Sequence, residues 1–215
     1  MKTTNFNTQT FRNSNLRLHS HQSSGLSLKN FSKNFETIEN VDFNLIINLP
    51  EGEDLYEWYA YNVFDFHRQA TMLFSAITEF CTPSSCPVMT AGSGYKYLWS
   101  EDGSKPCELC APEYTAKLLK WIRCLLDNEN VFPSTPGMPF GPDFENIIKT
   151  IMKRLFRIYA HFYYHHLQHF KALKIEKYLN TSFKHFILFN AKYQLIDEKY
   201  LSPLRDLINC ILKCI

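Results

Sequence analysis

The sequence predicts an all-α fold, a helix bundle with peripheral helices and long loops. Apolar residues recur at steps of three or four in several long segments, which is the period of an amphipathic helix. Alternation typical of strands is confined to one short stretch, and most prolines and glycines fall between the periodic segments. A chain of 215 residues can bury the core of one ordinary domain.

The N-terminal stretch differs from the rest of the chain. Residues 1–44 are rich in Asn, Ser and Thr, and residues 1–35 carry five basic and no acidic side chains. Such a composition buries too little apolar surface to offset chain entropy, so we expect 1–44 to be a largely disordered basic tail. The helical domain is expected to span 45–215, with a short ordered segment at 45–47.

Five main helices are expected, at about 55–80, 112–127, 143–173, 181–193 and 203–214. Pro50 and the acidic residues that follow it suit a helix N-terminus. Alternation at 95–99 followed by a turn signal at 101–103 predicts a small hairpin. The buried side of the first helix is predicted to include Trp58, Tyr61, Phe64, Met72, Leu73, Ile77 and Phe80.

The helix containing 147–167 has the densest apolar periodicity in the sequence. Lys149, Lys153 and Arg157 follow at steps of four on another face, with Arg154 beside them. A solvated basic face is the ordinary interpretation of such a cluster. The predicted apolar stripe consists of Ile147, Ile148, Ile151, Leu155, Ile158 and Phe162.

A close cysteine pair, Cys81-x4-Cys86, indicates a metal site. Structural zinc takes four nitrogen or sulfur ligands, often from a Cys pair and a His pair, and His161 lies near two further histidines. In a regular helix His165 shares a face with His161, whereas His166 lies about 140° away. The alternative is buried thiols and histidines at a helix end. Cys107 and Cys110 are interpreted as ordinary thiols.

Several classes of protein are disfavoured. No apolar run reaches the length of a membrane span, and the N-terminus lacks a secretory apolar core, so we expect reduced thiols in the cytoplasm. The basic start could instead mimic a mitochondrial transit peptide. Two Cys and two His would fill all four coordination positions of a zinc ion, whereas a zinc enzyme keeps one position for water or substrate. No nucleic-acid recognition motif accompanies the basic residues.

Five blocks, in order, resemble the Mob/phocein family, the Mps-one-binder kinase activators. They are LPEGEDLYEW at 49–58, TEFCTPSSCPVM at 78–89, IMKRLFRIYAHFYYHH at 151–166, NTSFKHF at 180–186 and LID at 195–197. The resemblance spans about 49–212. It implies a non-catalytic adaptor built on a zinc-bearing helix bundle.

The family spacing H-x4-H implies that one structural zinc is held by Cys81, Cys86, His161 and His166. Many members have a histidine three residues after the first, where this chain has Tyr164. This departure, and the adjacent His165, leave the second histidine ligand the least determined of the four.

The resemblance also implies two partners and a role in the control of mitosis and cell proliferation, in the cytoplasm and also the nucleus. The regulatory region of an NDR/LATS-type kinase would bind an acidic face. Phosphothreonine peptides of Hippo-type kinases would bind Lys153, Arg154 and Arg157. The striatin-associated phocein branch is the alternative, and Thr10 and Thr37 are candidate regulatory phosphothreonines. The implied acidic face comprises Glu53, Glu57, Trp58, Asp65 and His185.

Overall fold

The computed structural model of the chain describes residues 10–12, 35–101, 104–135 and 137–213, and the predicted all-α class is confirmed. The α-helices in chain order are α1 (Phe43–Ile47), α2 (Leu55–Ser75), α3 (Ala111–Leu126), α4 (Phe144–His161), α5 (Leu167–Ala172), α6 (Glu176–Tyr193), α7 (Glu198–Leu201) and α8 (Arg205–Lys213). A π turn (Phe162–His166) joins α4 to α5, and a 3₁₀ turn (Ser202–Leu204) joins α7 to α8.

The core forms where α4 packs along α2, with α3 and α6 alongside. In the predicted stripe of α4, Ile148, Ile151, Leu155 and Ile158 are fully buried, as is Phe162 in the π turn. Ile147 is partly buried at the edge of the core. The periodicity of this segment therefore identified the face that the bundle covers.

Helix α2 begins where the sequence places it. The Asp54 carboxylate accepts hydrogen bonds from the amides of Tyr56 (2.7 Å) and Glu57 (3.2 Å), which caps the helix. Glu53 lies outside the helix, in a turn closed by its amide on the Pro50 carbonyl. The helix ends at Ser75, and hydrogen-bonded turns carry the chain from there to Cys81.

The predicted buried side of α2 is partly wrong. Leu73 and Ile77 are buried, but Tyr61, Phe64 and Met72 are 64%, 48% and 64% exposed. Helix α2 is apolar on two sides, and periodicity alone does not say which side is covered by neighbouring elements. The side chains buried along α2 are Tyr59, Asn62, Val63, Phe66, Ala70 and Leu73.

Two short strands pair at one end of the bundle. Strand β1 (Thr10–Arg12) is antiparallel to β2 (Tyr95–Tyr97), with Thr10 opposite Tyr97. Lys96 also forms a bridge with Thr90 on the other side of β2. The predicted hairpin is present as a bridge between Trp99 and Cys107, which exchange amide hydrogen bonds at 2.8 Å across the turn.

Residues 35–44, which the composition assigned to the N-terminal tail, contact the helical domain. Residues 35–48 run along α6, where Asn180 donates to the Glu36 carbonyl (2.7 Å) and the Ile38 amide donates to Thr181 (2.8 Å). At the end of α6, the Tyr193 hydroxyl donates to the Ile47 carbonyl at 3.0 Å. We call residues 35–48 the strap. Residues 1–9 and 13–34 lie outside the described residues.

Candidate metal centre and basic pocket

Cys81 and Cys86 are presented by a tight loop after α2. The Cys81 amide donates to Ile77 (2.9 Å), and the Cys86 amide donates to Thr82 (2.8 Å). Ser85 closes the loop by donating its hydroxyl to the Phe80 carbonyl at 2.6 Å. The Cys86 carbonyl accepts from the amide of Ala111 at 3.0 Å, so the start of α3 supports the loop. Both thiols are buried.

The last residue of α4, His161, and the last residue of the π turn, His166, form the histidine pair. In an i→i+5 turn, residue i+5 takes the position over residue i that i+4 has in an α-helix. His166 therefore lies beside His161, with 3.2 Å between their Nε2 atoms. His165 points elsewhere, with its Nε2 3.0 Å from the Thr90 hydroxyl. His165 would share a face with His161 only in a regular α-helix, which the chain does not form here.

The four side chains form one buried group, in which all ligand atoms lie within 4.8 Å of one another. Cys81 Sγ is 3.6 Å from His161 Nε2, and Cys86 Sγ is 3.4 Å from His166 Nε2. Tetrahedral zinc with Zn–S of about 2.3 Å and Zn–N of about 2.0 Å would give ligand separations of about 3.3 to 3.8 Å. The residues therefore fit a Cys2His2 metal site.

Groups around the ligands favour metal binding. His161 Nδ1 is 2.8 Å from the Thr90 carbonyl, which can only accept, so Nδ1 carries the proton and Nε2 faces the group. A hydrogen bond from Cys81 lowers the pKa of Cys86, and contacts with His161 and His166 lower it further. The same hydrogen bond and burial raise the pKa of Cys81. The contacts with His161 and His166 thus favour the ionised form of Cys86, which is the form that binds a metal.

A second feature is a small basic pocket between α4, β2 and the C-terminal segment, partly open to solvent. Arg157 is 3% exposed and donates Nη1 to the Tyr114 hydroxyl at 2.7 Å. Among the described residues its buried Nη2 has no hydrogen-bond partner, and neither has the Tyr97 hydroxyl. The lining residues are Tyr95, Tyr97, Lys153, Phe156, Arg157, Lys199, Tyr200, Ser202 and Pro203.

The structure brings Lys153 and Arg157 together in this pocket, but Arg154 is not among its lining residues. The Arg154 guanidinium carbon lies 4.5 Å from the ring centre of Trp121 and 5.0 Å from that of Trp99. Its Nη2 donates to the Ser100 carbonyl at 3.0 Å. Residues three apart differ by about 60° around a helix, which is enough to send Arg154 and Arg157 to different neighbours.

The candidate acidic face is only partly open. Glu53 and Glu57 are exposed, and Trp58 stacks on Tyr61 with ring centres 5.6 Å apart. Asp65 accepts hydrogen bonds from Arg68 (2.7 Å) and Gln69 (2.5 Å), so its carboxylate already has partners. His185 is 6% exposed and packs on Phe66.

Sequence reasoning missed the C-terminal wall of the pocket, Lys199 and Tyr200, and the Thr90 carbonyl behind His161. No local pattern marks these residues, because they meet α4 from positions more than 40 residues away. Cys107 and Cys110 lie outside the metal group, as expected of ordinary thiols. Within the described ranges, no helix combines the length and apolar character that crossing a membrane requires.

Comparison with known proteins agrees with these features. The profile of the Mob1/phocein family matches residues 35–204. A MOB kinase activator-like 1B of Arabidopsis thaliana is 51% identical over 169 residues, covering 77% of this chain and 78% of that protein. The MOB kinase activator-like 1 homolog A of Dictyostelium discoideum is 46% identical over 179 residues, covering 82% and 84% respectively. The chain therefore belongs to the Mob1/phocein family.

Proposed function

We propose that this protein is a non-catalytic adaptor that activates protein kinases. On this proposal it binds the regulatory region of an NDR/LATS-type kinase and docks phosphothreonine peptides of an upstream Hippo-type kinase. The family membership and the names of its relatives, MOB kinase activator-like 1, support the kinase-activating role. The observation that carries the peptide-docking role is Arg157, a buried side chain that lines the pocket and whose Nη2 has no hydrogen-bond partner among the described residues.

The pocket is suited to an anion. Burial lowers the pKa of Lys153, and the charges of Arg157 and Arg154 lower it further. A phosphate would offset this repulsion and would accept the hydrogen bond that Arg157 Nη2 can donate. The carbonyl and carboxylate of an ordinary peptide offer less charge to the same groups. A phosphorylated side chain is therefore the ligand that the pocket favours.

A peptide library tests this assignment. Degenerate nonapeptides with phosphothreonine fixed at the centre are screened against the protein, and the best binder is then measured by calorimetry. We expect at least tenfold weaker binding for its unphosphorylated form and for Arg157→Lys, since one charge-assisted hydrogen bond contributes about 1.5–3 kcal/mol. Lys149→Ala is the control, because Lys149 lies one turn before Lys153 but pairs with Glu145. Equal binding of both peptides to the wild type would exclude the phosphate site.

The kinase face is supported by an exposed stripe on α2. Glu57, Tyr61, Phe64, Arg68 and Met72 follow at steps of three or four, so they share one side of the helix. All five are exposed, and three of them are large and apolar. Together with Glu53 they offer acid at one end and apolar surface along the helix. A basic amphipathic helix has the complementary pattern.

Matched substitutions test the kinase face. With a recombinant N-terminal regulatory segment of an NDR/LATS-type kinase, Glu57→Lys and Met72→Glu should each weaken binding about tenfold and reduce activation of the kinase. Glu79→Lys is the control, since Glu79 is also exposed but lies beyond the end of α2. Asp65 is left intact because it anchors Arg68 and Gln69. Unchanged affinity in both test variants would show that the kinase binds a different surface.

We further propose that the metal group holds one zinc ion with a structural role. The ion would be held by Cys81, Cys86, His161 and His166, and it would crosslink the loop after α2 to the end of α4 and the π turn. Four protein ligands fill a tetrahedral shell and leave no position for a substrate, which supports an adaptor rather than a zinc enzyme. Zinc content of the purified protein, measured by atomic emission, tests this assignment and should be about one ion per chain.

The striatin-associated phocein branch is the second candidate function. The matching profile covers both branches, but the relatives reported above are all named kinase activators. We infer a cytoplasmic and nuclear location from the same assignment. Affinity purification from native lysate, with and without phosphatase, distinguishes the branches. Recovery of a kinase would support the activator branch, and recovery of a striatin/phosphatase assembly instead would support the other.

A further inference from the structure

The basic pocket contains a cation that does not come from the central helix. Lys199, in the four-residue helix α7, lines the same pocket as Lys153 and Arg157. The Lys153 and Lys199 ammonium groups each lie 4.9 Å from the centre of the Tyr200 ring. Three cationic side chains from two separate elements therefore surround one small space.

The present partner of Lys199 is weak. Lys199 pairs with Asp197 at 3.2 Å, and both side chains are 68% exposed. Ion pairs exposed to this degree contribute little to stability, because water screens the attraction and ordering two mobile side chains costs entropy. If Lys199 left Asp197 to contact a doubly charged phosphate, it would give up a weak ion pair and form a stronger one.

We propose that Lys199 is the third cation of the phosphate site, with Lys153 and Arg157, and that a bound phosphothreonine joins the central helix to the C-terminal segment. This inference rests on the proposed function of the pocket and identifies how the ligand is held. The guanidinium of Arg154 lies between Trp99 and Trp121, and Arg154 is not among the residues that line the pocket.

Hydrogen exchange in the C-terminal segment that contains Lys199 can detect peptide binding. Tyr200, Ser202 and Pro203 line the pocket beside Lys199, and the Pro203 carbonyl accepts a hydrogen bond from Tyr164 at 2.9 Å. A ligand held by both walls should hold α7 and the 3₁₀ turn more firmly against α4. Backbone amides of residues 198–204 should then exchange hydrogen more slowly.

Binding measurements on the full-length protein test the proposal. With the phosphothreonine nonapeptide selected by the wild type, Lys199→Ala should weaken binding about tenfold, and Lys199→Arg should restore it to within about threefold. Lys149→Ala, a charge removed from the same basic helix outside the pocket, should change affinity by less than about twofold. Hydrogen exchange should show peptide-dependent protection of 198–204 in the wild type and much less in Lys199→Ala. Because Lys199 is exposed, thermal unfolding of its variants should match the wild type.

The outcomes separate the two levels of inference. If the wild type does not distinguish the phosphorylated from the plain peptide, the proposed function of the pocket fails. If it does distinguish them, and Arg157→Lys binds weakly while Lys199→Ala binds like Lys149→Ala, the pocket stands and the role of Lys199 is overturned. Tenfold loss in Lys199→Ala, with rescue by arginine and loss of protection at 198–204, supports the three-cation site.

Discussion

Tyr164 lies close to both candidate sites, and its ring packs against Gly92. Tyr164 lies in the π turn between the two metal-group histidines, and its hydroxyl donates to Pro203 at the edge of the pocket. Its ring closes over Gly92, where an added Cβ would lie 2.6 Å from the Tyr164 Cε1 atom. Gly92 also has a φ of 68°, a conformation that residues with a side chain rarely adopt. Gly92 thus allows the loop before β2 to approach the π turn.

Gly92→Ala should destabilise the protein by about 2 to 4 kcal/mol, because overpacking against a ring held at its hydroxyl adds to the cost of a positive φ. Gly94→Ala is the matched control, since an added Cβ there meets no atom within 4 Å. Urea unfolding followed by fluorescence measures both. Equal losses in the two variants would contradict the close approach at Gly92.

His185 is a buried titratable group whose energetics can be measured. Burial lowers its pKa to about 4, while Asp65 and the backbone of Ile46 oppose the shift. In the unfolded chain an imidazole has a pKa of about 6.5. Since the folded value is the lower one, the contribution of neutral His185 to stability is present above pH 6.5 and is lost as the pH falls toward 4.

Between pH 7 and pH 5 this linkage should cost about 2 kcal/mol of unfolding free energy. Between pH 7 and pH 5, the unfolding free energy of His185→Leu should therefore fall by about 2 kcal/mol less than that of the wild type. Leucine is chosen because His185 Nε2 has no hydrogen-bond partner within the described part of the chain. Urea unfolding of both proteins at the two pH values gives the difference, in which other titrating groups cancel. The same pH dependence in both proteins would show that His185 does not carry the linkage.

The π turn is the element that decides which histidine joins the metal group. A π turn amounts to one extra residue in an α-helix, and such turns occur frequently at functional sites. Here the extra residue places His166 beside His161, while Ile158 of α4, Phe162 of the π turn and Phe170 of α5 are all buried in the same core. In a regular α-helix, the rotation that buries these apolar residues would turn His166 away from His161.

Deleting His165 should close the π turn and leave His166 one α-helical turn after His161. We expect this variant and His165→Ala to retain about one zinc per chain, whereas His166→Ala should lose zinc and unfold at a lower temperature, because structural zinc contributes folding free energy. Atomic emission and thermal unfolding measure both effects. Loss of zinc in the deletion variant would mean that the π turn also orients the imidazole, and zinc loss in His165→Ala alone would make His165 the ligand.

The strap contributes hydrogen bonds to a polar network on α6. Glu36 and Ile38 bind Asn180 and Thr181 of α6, and Asn180 is fully buried with Tyr163 donating to its Oδ1 at 3.0 Å. Removal of the strap would leave part of this polar network without partners, which costs more than a hydrogen bond normally contributes. The family profile begins at residue 35, where the strap begins.

A protein of residues 35–215 should unfold within about 1 kcal/mol of the full chain, because the pairing of β1 with β2, the contact of the removed part that the structure describes, is three residues long. Residues 45–215 should be less stable by about 2 to 4 kcal/mol, through lost hydrogen bonds of the strap and lost packing of Phe35 and Phe43. Urea unfolding of the three chains measures this series. Similar stability of the two shorter chains would restore the boundary at 45.

The sequence by itself determined the helical class, the core stripe of α4, the cap of α2 and the cysteine pair, since each depends on neighbours along the chain. The family resemblance led to His166, against the spacing of a regular helix. Only the tertiary structure decided which side of α2 stays exposed, that Arg154 and Arg157 go to different neighbours, and that Lys199 joins the pocket. These outcomes depend on contacts between residues distant in sequence, and local periodicity holds no information on which elements pack together.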